Sequence, residues 1–291
     1  MRYDMPLFRP PSEGDNLIIQ ATLGCSYNRC SFCSMYRSKH FYARPLDKVF
    51  ADIDEAAALW PDAHRVFLAD GDALALPAEQ LEAIADKLAA VLPRLQRISA
   101  YATPAALLRK TPEELTRLKG RKLSLLYLGI ESGSAEVLRR IAKGASPDGI
   151  AEAVGKARQA GMKVSATVIL GVAGRHLAEE HAAATAALIN RVPPNFLSTL
   201  QLMLEPDAAA DFLGRWDGRF EPQDDAGILW EQRMLLDRLD PPAPVIFRSN
   251  HASNCLALAG TLPKDRPRLL AEVDGVLAGG RHLRPAWLRA L

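Results

Sequence analysis

Cysteine is scarce in this sequence. Of 291 residues only four are cysteines, and three of them fall between Cys25 and Cys33. That excludes a disulfide-stapled secreted scaffold, which spreads cysteine along its whole length, and it fits a reducing compartment. No apolar run approaches the roughly 18 residues of a membrane-crossing helix. Met1 to Pro11 carries charges and prolines but no apolar signal core, so the sequence predicts a cytoplasmic protein without a membrane partner. Charge of one sign is not in excess either. Lys plus Arg number 36 and Asp plus Glu 34, a net +2. This argues against a nucleic-acid partner held by bulk positive charge. Arg281, His282, Arg284 and Arg289 near the C-terminus read as solvated surface. Internal repeats, low-complexity tracts and clear linkers are also missing. What is present is a globular balance, 48% apolar and 24% charged, and a chain of this length buries roughly 75% of its unfolded surface without staples.

Strand and helix signals alternate. Buried-strand patterns at 17–22, 64–69, 96–100, 123–130, 162–170 and 196–204 are separated by helical periods at 47–60, 78–92, 112–119, 134–143, 148–160 and 177–190. Thr111-Pro112-Glu113-Glu114 is a capping box with proline at the first helical position. Six such units imply an α/β fold with a parallel sheet and helices outside. Periodicity alone leaves open whether the sheet is a barrel, closed or partial, or an open doubly wound sheet. Beyond residue 205 the pattern loosens to a helix at 224–239, a stiff Pro241-Pro242-Ala243-Pro244 connector, a short strand at 245–247 and a helix at 266–277.

The loop after the first strand reads Gly24-Cys25-Ser26-Tyr27-Asn28-Arg29-Cys30-Ser31-Phe32-Cys33, a C-x4-C-x2-C spacing. Loops after the strands of parallel α/β folds carry active sites, and three thiolates so close suit a metal. A structural zinc usually takes four ligands; the remaining candidates are His40 and the distant Cys255, which reads as a small apolar filler. A [4Fe-4S] cluster on three cysteines leaves one iron open for another ligand. Tyr36, Lys39 and Phe41, just beyond this loop, either shape its mouth or simply pack.

Cys25, Cys30, Phe32 and Cys33 resemble the cluster loop of the radical S-adenosylmethionine enzymes, one residue longer between the first two cysteines than the usual C-x3-C-x2-C. Three further segments match in order: Val66 to Leu74, containing Asp70-Gly71-Asp72; Tyr127 to Ser134, followed by Val137 to Ile141 and Lys143-Gly144; and Val168 to Gly174. The second of these, on the fourth strand, resembles the branch containing tRNA methylthiotransferases, elongator-type enzymes and coproporphyrinogen dehydrogenase. The resemblance implies a partial (β/α)6 TIM-like barrel over residues 1–205, with 206–291 as a C-terminal extension packed on it. It implies a [4Fe-4S] cluster on Cys25, Cys30 and Cys33, and S-adenosylmethionine cleaved to a 5′-deoxyadenosyl radical that takes hydrogen from a substrate. An electron donor such as flavodoxin or ferredoxin is implied with it.

By position, Phe32 lines the adenine, Asp70, Gly71 and Asp72 receive the methionine ammonium, and Glu131 and Ser132 meet the ribose or methionine. Ile169, Gly171 and Met203 wall the adenine. Each has a plainer reading. Asp70-Gly71-Asp72 also suits a tight turn, Glu131 could cap the next helix, although Ser134 serves that better, and Gly171 and Gly174 could be turn glycines. With only Cys255 left over, no second cysteine-ligated cluster can form, which argues against methylthiotransferase chemistry and for a small-molecule substrate. Arg248 to Asn254 is the one polar strand-end segment not already used. There Arg248 suits a carboxylate or phosphate and His251 could move a proton, so an anionic substrate is expected, with this segment closing the substrate side. The competing function is a non-catalytic iron–sulfur or zinc protein on the same fold.

Overall fold

The computed structural model describes residues 1–280 and 283–289. Its elements in chain order are β1 (Leu17–Gln20), β2 (Thr22–Leu23), β3 (Tyr42–Ala43), α1 (Leu46–Leu59), β4 (Arg65–Ala69), α2 (Ala78–Val91), β5 (Arg97–Ala102), α3 (Pro104–Arg109), α4 (Pro112–Gly120), β6 (Leu123–Glu131), α5 (Ala135–Arg140), α6 (Pro147–Gln159) and β7 (Lys163–Leu170), then α7 (Ala178–Arg191), β8 (Phe196–Gln201), α8 (Pro206–Gly214), α9 (Asp225–Arg238), β9 (Val245–Ser249), β10 (Leu258–Leu262) and α10 (Arg266–Leu277). The strand order β1-β4-β5-β6-β7-β8-β9-β10 has two ends, so the sheet is an open, mostly parallel one and not a closed barrel. This is the architecture of a partial TIM-like barrel. β9 and β10, from beyond residue 205, extend the same sheet.

The chain forms two compact units, one of residues 1–28, 33–128 and 152–164, the other of 29–32, 129–151 and 165–291. In the first, β1, β4, β5 and β6 pair in parallel, with Ile18 opposite Phe67, Phe67 opposite Ser99 and Ser99 opposite Leu125. Val66 to Ala69 are all buried, as a strand covered on both faces requires. Phe67, Tyr101 and Tyr127 meet edge to face, with centroids 5.1 to 6.1 Å apart. The N-terminal segment is tied to this sheet: the Tyr3 hydroxyl donates to the Ile18 carbonyl, and buried Glu13 accepts from Tyr127 and Arg97. In the second unit β7 and β8 pair in parallel, β8 and β9 likewise, and β10 runs antiparallel to β9. Helices α7, α9 and α10 pack in sequence beside them.

The capping box at Thr111 forms as predicted, with both reciprocal bonds made. Several boundaries differ. The first strand stops at Gln20, because Thr22 and Leu23 turn away to pair with Ala43 and Tyr42. The helix expected over 134–143 ends at Arg140, ahead of left-handed Ala142 and Gly144. The strand expected to reach 204 ends at Gln201. Helices α3 and α8 and strand β10 were not anticipated; each helix opens on a proline in its first turn. Among the described residues no helix is long and apolar enough to cross a membrane.

Candidate active site

In the first unit the start of the cysteine loop is bolted to the end of β4. Asp70 is fully buried, and its carboxylate accepts from the Gly24 N–H (3.1 Å), Gln20 Nε2 (3.2 Å) and the Lys39 ammonium (3.0 Å). The Gly71 N–H returns a bond to the Gly24 carbonyl at 3.0 Å. Asp72 accepts from the Thr103 N–H (3.1 Å), the Thr103 hydroxyl (2.9 Å) and the Ser26 hydroxyl. Burial raises the Asp72 carboxyl above the ordinary carboxylate range, opposed by those bonds from Ser26 and Thr103. At Gly71 a Cβ would stand 2.5 Å from the Tyr36 ring and 3.0 Å from the Cys25 Cβ, so only glycine fits between them.

Tyr36 itself is buried, with Phe8 edge-on at 5.4 Å and its hydroxyl lacking a hydrogen-bond partner. Burial pushes its phenol far up, and Tyr101, Asp70, Cys25 and Cys33 add to that push. Of the three expected metal ligands, Cys25 stands on the Gly71 side of this buried ring. Asn28, in a left-handed conformation, closes the loop by donating to the Tyr36 and Lys39 carbonyls. Lys39 thus serves Asp70, while Phe41 is exposed. His40, the nearer alternative ligand, is exposed as well.

In the second unit Cys30 and Phe32 are half-buried, and the Ser31 N–H between them donates to the Ile141 carbonyl at 2.9 Å. At the end of β6, Glu131 has φ +60° and its carboxylate meets Lys143 Nζ at 2.8 Å. A Cβ on Gly129 would stand within 2.0 Å of that carboxylate. Glu131 does not cap the next helix; Ser134 does, accepting from the Val137 N–H. Ser132 is buried, with its Oγ 2.7 Å from His181 Nδ1. At the end of β7, Ile169 is buried and Gly171 has φ +80°, its N–H donating to Glu231 Oε1 at 2.9 Å. Met203, after β8, is half-buried. Burial pushes Glu231 up to about 7, opposed by the bonds from Gly171 and Gln223, and pushes His181 down to about 4, opposed by the Ile169 backbone.

The segment after β9 divides. Arg248 lies on the exposed face of its strand, and its guanidinium donates to the Phe247 and Gly260 carbonyls. His251 is half-buried, with Nδ1 accepting from the Ser253 N–H, and burial and Arg284 hold its imidazole below the usual range. Asn254 ties this loop to β8 by donating to the Thr199 carbonyl and accepting from the Gln201 N–H. Two of the basic residues expected as solvated surface are not free. Arg284 binds the His251, Ala252 and Asn254 carbonyls, and Arg289 forms a two-bond pair with Asp225. Arg281 and His282 lie outside the described residues. Cys255 is buried, its thiol pushed up to about 11 mainly by burial.

The chemistry of the donor set fits the cluster that the loop implies: three cysteine thiols are the ligand count of a cluster with one open iron, and Gly71 keeps the space beside Cys25 clear. Among the described residues no three His, Cys, Asp or Glu side chains are drawn together tightly enough to hold a metal. The family model described as the radical SAM superfamily matches residues 19–189, more than half of the chain. The chain belongs to the radical SAM superfamily. Enzymes of this superfamily use a [4Fe-4S] cluster and S-adenosylmethionine. Among solved structures, coproporphyrinogen III oxidase (HemN) from Escherichia coli is 19% identical, with a TM-score of 0.60 over 77% of this chain and 52% of that one. Methylornithine synthase (PylB) is 18% identical, with a TM-score of 0.51 over 78% and 64%. The archaeal Elp3 of Methanocaldococcus infernus is 12% identical, with a TM-score of 0.51 over 91% and 64%. These likenesses show the fold, and this chain spans about half to two thirds of the length of those proteins. No curated protein matches the sequence.

His181, Glu231, Thr199 and Gln232 escaped the sequence reading. The one available signal was an acid and an amide, Glu231-Gln232, inside the apolar period Ile228, Leu229, Leu235, Leu236.

Proposed function

We propose that this radical SAM protein is an enzyme that removes hydrogen from a small molecule bearing an anionic group. Cys25, Cys30 and Cys33 would hold the cluster. Together the cluster and S-adenosylmethionine supply, after one-electron reduction by a donor such as flavodoxin or ferredoxin, a 5′-deoxyadenosyl radical. The protein's part is binding, orientation and exclusion of water. The Asp70-Gly71-Asp72 segment offers backbone carbonyls and the Asp72 carboxylate to the methionine ammonium. The Asp70 carboxylate, which takes the Lys39 ammonium and the Gly24 N–H at the start of the cysteine loop, is better read as the anchor of the loop. Glu131 and Ser132 would orient the ribose or methionine, and Phe32, Ile169, Gly171 and Met203 would enclose the adenine. On the substrate side, within 206–291, His251 carries more of the reading than Arg248, whose guanidinium is occupied by backbone carbonyls.

The observation that carries this reading is the cradle at Gly71, where the cysteine loop and the β4 end approach too closely for any side chain. The test is anaerobic reconstitution with iron and sulfide, then dithionite and S-adenosylmethionine. 5′-Deoxyadenosine should form, and should not form with Cys25, Cys30 and Cys33 replaced by Ala. A metal-loaded protein that yields none would point to a non-catalytic iron–sulfur or zinc protein.

A further inference from the structure

Inside the second unit a chain of buried polar groups joins the ends of β6 and β7 to helices α7 and α9. The Ser134 N–H donates to Ser132 Oγ at 3.0 Å, and the Ser132 hydroxyl shares one hydrogen bond with His181 Nδ1 at 2.7 Å. Nε2 stands 3.4 Å from Glu231 Oε1 and makes no well-formed hydrogen bond. Glu231 Oε1 accepts the Gly171 N–H, and Oε2 accepts from Gln223. Ser132, His181 and Glu231 are at most 1% exposed.

Gly171 is held a second way. With φ +80° and a Cβ position 2.7 Å from Ile228 Cδ1, its backbone is pressed against the same helix that supplies Glu231. His181 lies inside the span matched by the family model and Glu231 lies beyond it. The extension therefore sends one carboxyl group into the strand ends of the common core.

We propose that His181 and Glu231 are a positioning pair for S-adenosylmethionine, acting through Ser132 and Gly171. This rests on the reading of Ser132 and Gly171 as cofactor-facing. Glu231 fixes the Gly171 N–H and thereby the backbone course at the adenine wall, and His181 fixes the Ser132 hydroxyl. Burial pushes Glu231 up and His181 down, so the link is made by hydrogen bonds and not by a fixed ion pair. A purely structural cluster would be replaceable by apolar packing; a positioning pair is not, because an alkyl group cannot accept the Gly171 N–H.

The test compares Glu231→Gln, which keeps an acceptor for Gly171, with Glu231→Ala, which does not. Binding of S-adenosylmethionine to cluster-loaded protein is read by calorimetry, and Gly171 amide exchange is read on protein without cofactor. Glu231→Ala should weaken binding about tenfold, the factor for one ordinary hydrogen bond, and speed Gly171 exchange. Iron content should stay unchanged. Glu231→Gln should stay within about threefold of the parent. If Glu231→Ala does not fold, Glu231→Asp, which withdraws the carboxylate by one methylene, should show an intermediate loss. Unchanged affinity alongside faster Gly171 exchange overturns the positioning role and leaves the proposed function standing. Failure of the unmutated, cluster-loaded protein to bind S-adenosylmethionine overturns the proposed function, and this inference with it.

Discussion

In the first unit the buried acids at the strand end are compensated: Asp70 has an ammonium and two further donors, and Asp72 has two hydroxyls and an N–H. In the second unit Glu131 has a lysine, but Glu231 has only an N–H and an amide. The carboxyl groups of the first unit and Glu131 thus face a cation or hydroxyl donors, while Glu231 accepts only from an N–H and an amide. A buried carboxylate stays ionised only where cation or several donors face it. The comparison separates anchoring from tuning, because Asp70 fastens the cysteine loop while Glu231, pushed up to about 7, sits where its proton can come and go.

The largest expected effect breaks the cysteine loop outright. Replacing Cys25, Cys30 and Cys33 together by Ala should remove bound iron, its charge-transfer absorbance and all S-adenosylmethionine cleavage. Cys255→Ala should change none of these, since a thiol pushed up to about 11 is protonated at neutral pH and ligates poorly. Loss of iron in Cys255→Ala equal to that in the triple variant would replace the open cluster by a closed four-ligand site.

Next come the two lysines. Lys39→Met leaves the fully buried Asp70 without its cation and should cost about 3–5 kcal/mol in urea unfolding. Lys143→Met deprives Glu131, which retains some exposure to water, and should cost less, roughly 1.5–3 kcal/mol. Equal losses would mean that Asp70 is held well enough by Gly24 and Gln20 alone.

The cofactor side sharpens the contrast further. Asp72→Ala and Glu131→Ala should each weaken S-adenosylmethionine binding by roughly 1.5–3 kcal/mol, the scale of a hydrogen bond to a charged group, with iron content intact. Asp70→Asn should reduce iron loading instead, because it loosens the loop at Gly24. If Asp70→Asn leaves loading intact and weakens cofactor binding as Asp72→Ala does, Asp70 is a direct contact and not an anchor.

Local signals with short range were legible in the sequence. Continuous apolar strands gave the parallel sheet, and the Thr111 box gave a helix start to the residue. Thr103-Pro104 carries a cap signal of the same kind, but the helix behind it has six residues and no room to show a period. β10 has only Leu258 and Leu262 buried, with Ala259, Gly260 and Thr261 between, so its pairing with β9 is decided by partner and not by pattern. The cysteine loop and the Asp70 and Glu131 segments stood out because their residue types are unusual at strand ends. His181 did not, since a histidine amid alanines on a helix gives no hint that Ser132, 49 positions earlier, faces it. Arg284 and Arg289 looked solvated for the same reason: their partners are backbone carbonyls and a distant Asp225.

The smallest effect is a pH dependence that isolates the uncompensated acid. Glu231 moves from 4.5 unfolded to about 7 folded. Between those values the folded state keeps a proton that the unfolded state has lost, so this group makes stability fall as pH rises. His181 moves from 6.5 to about 4. Between those values the unfolded state holds the extra proton, so this group makes stability rise with pH. The two slopes oppose each other over most of pH 4.5 to 6.5, so the pair adds little net slope to the melting profile of the unmutated protein there. Glu231→Gln should leave the histidine slope alone, with Tm falling as pH drops from 6.5 to 4. His181→Gln should leave the carboxyl slope alone, with Tm falling as pH climbs from 4.5 to 7. Melting curves at half-unit steps decide it: two variants that run parallel to the parent would mean that neither buried group changes its proton count on unfolding.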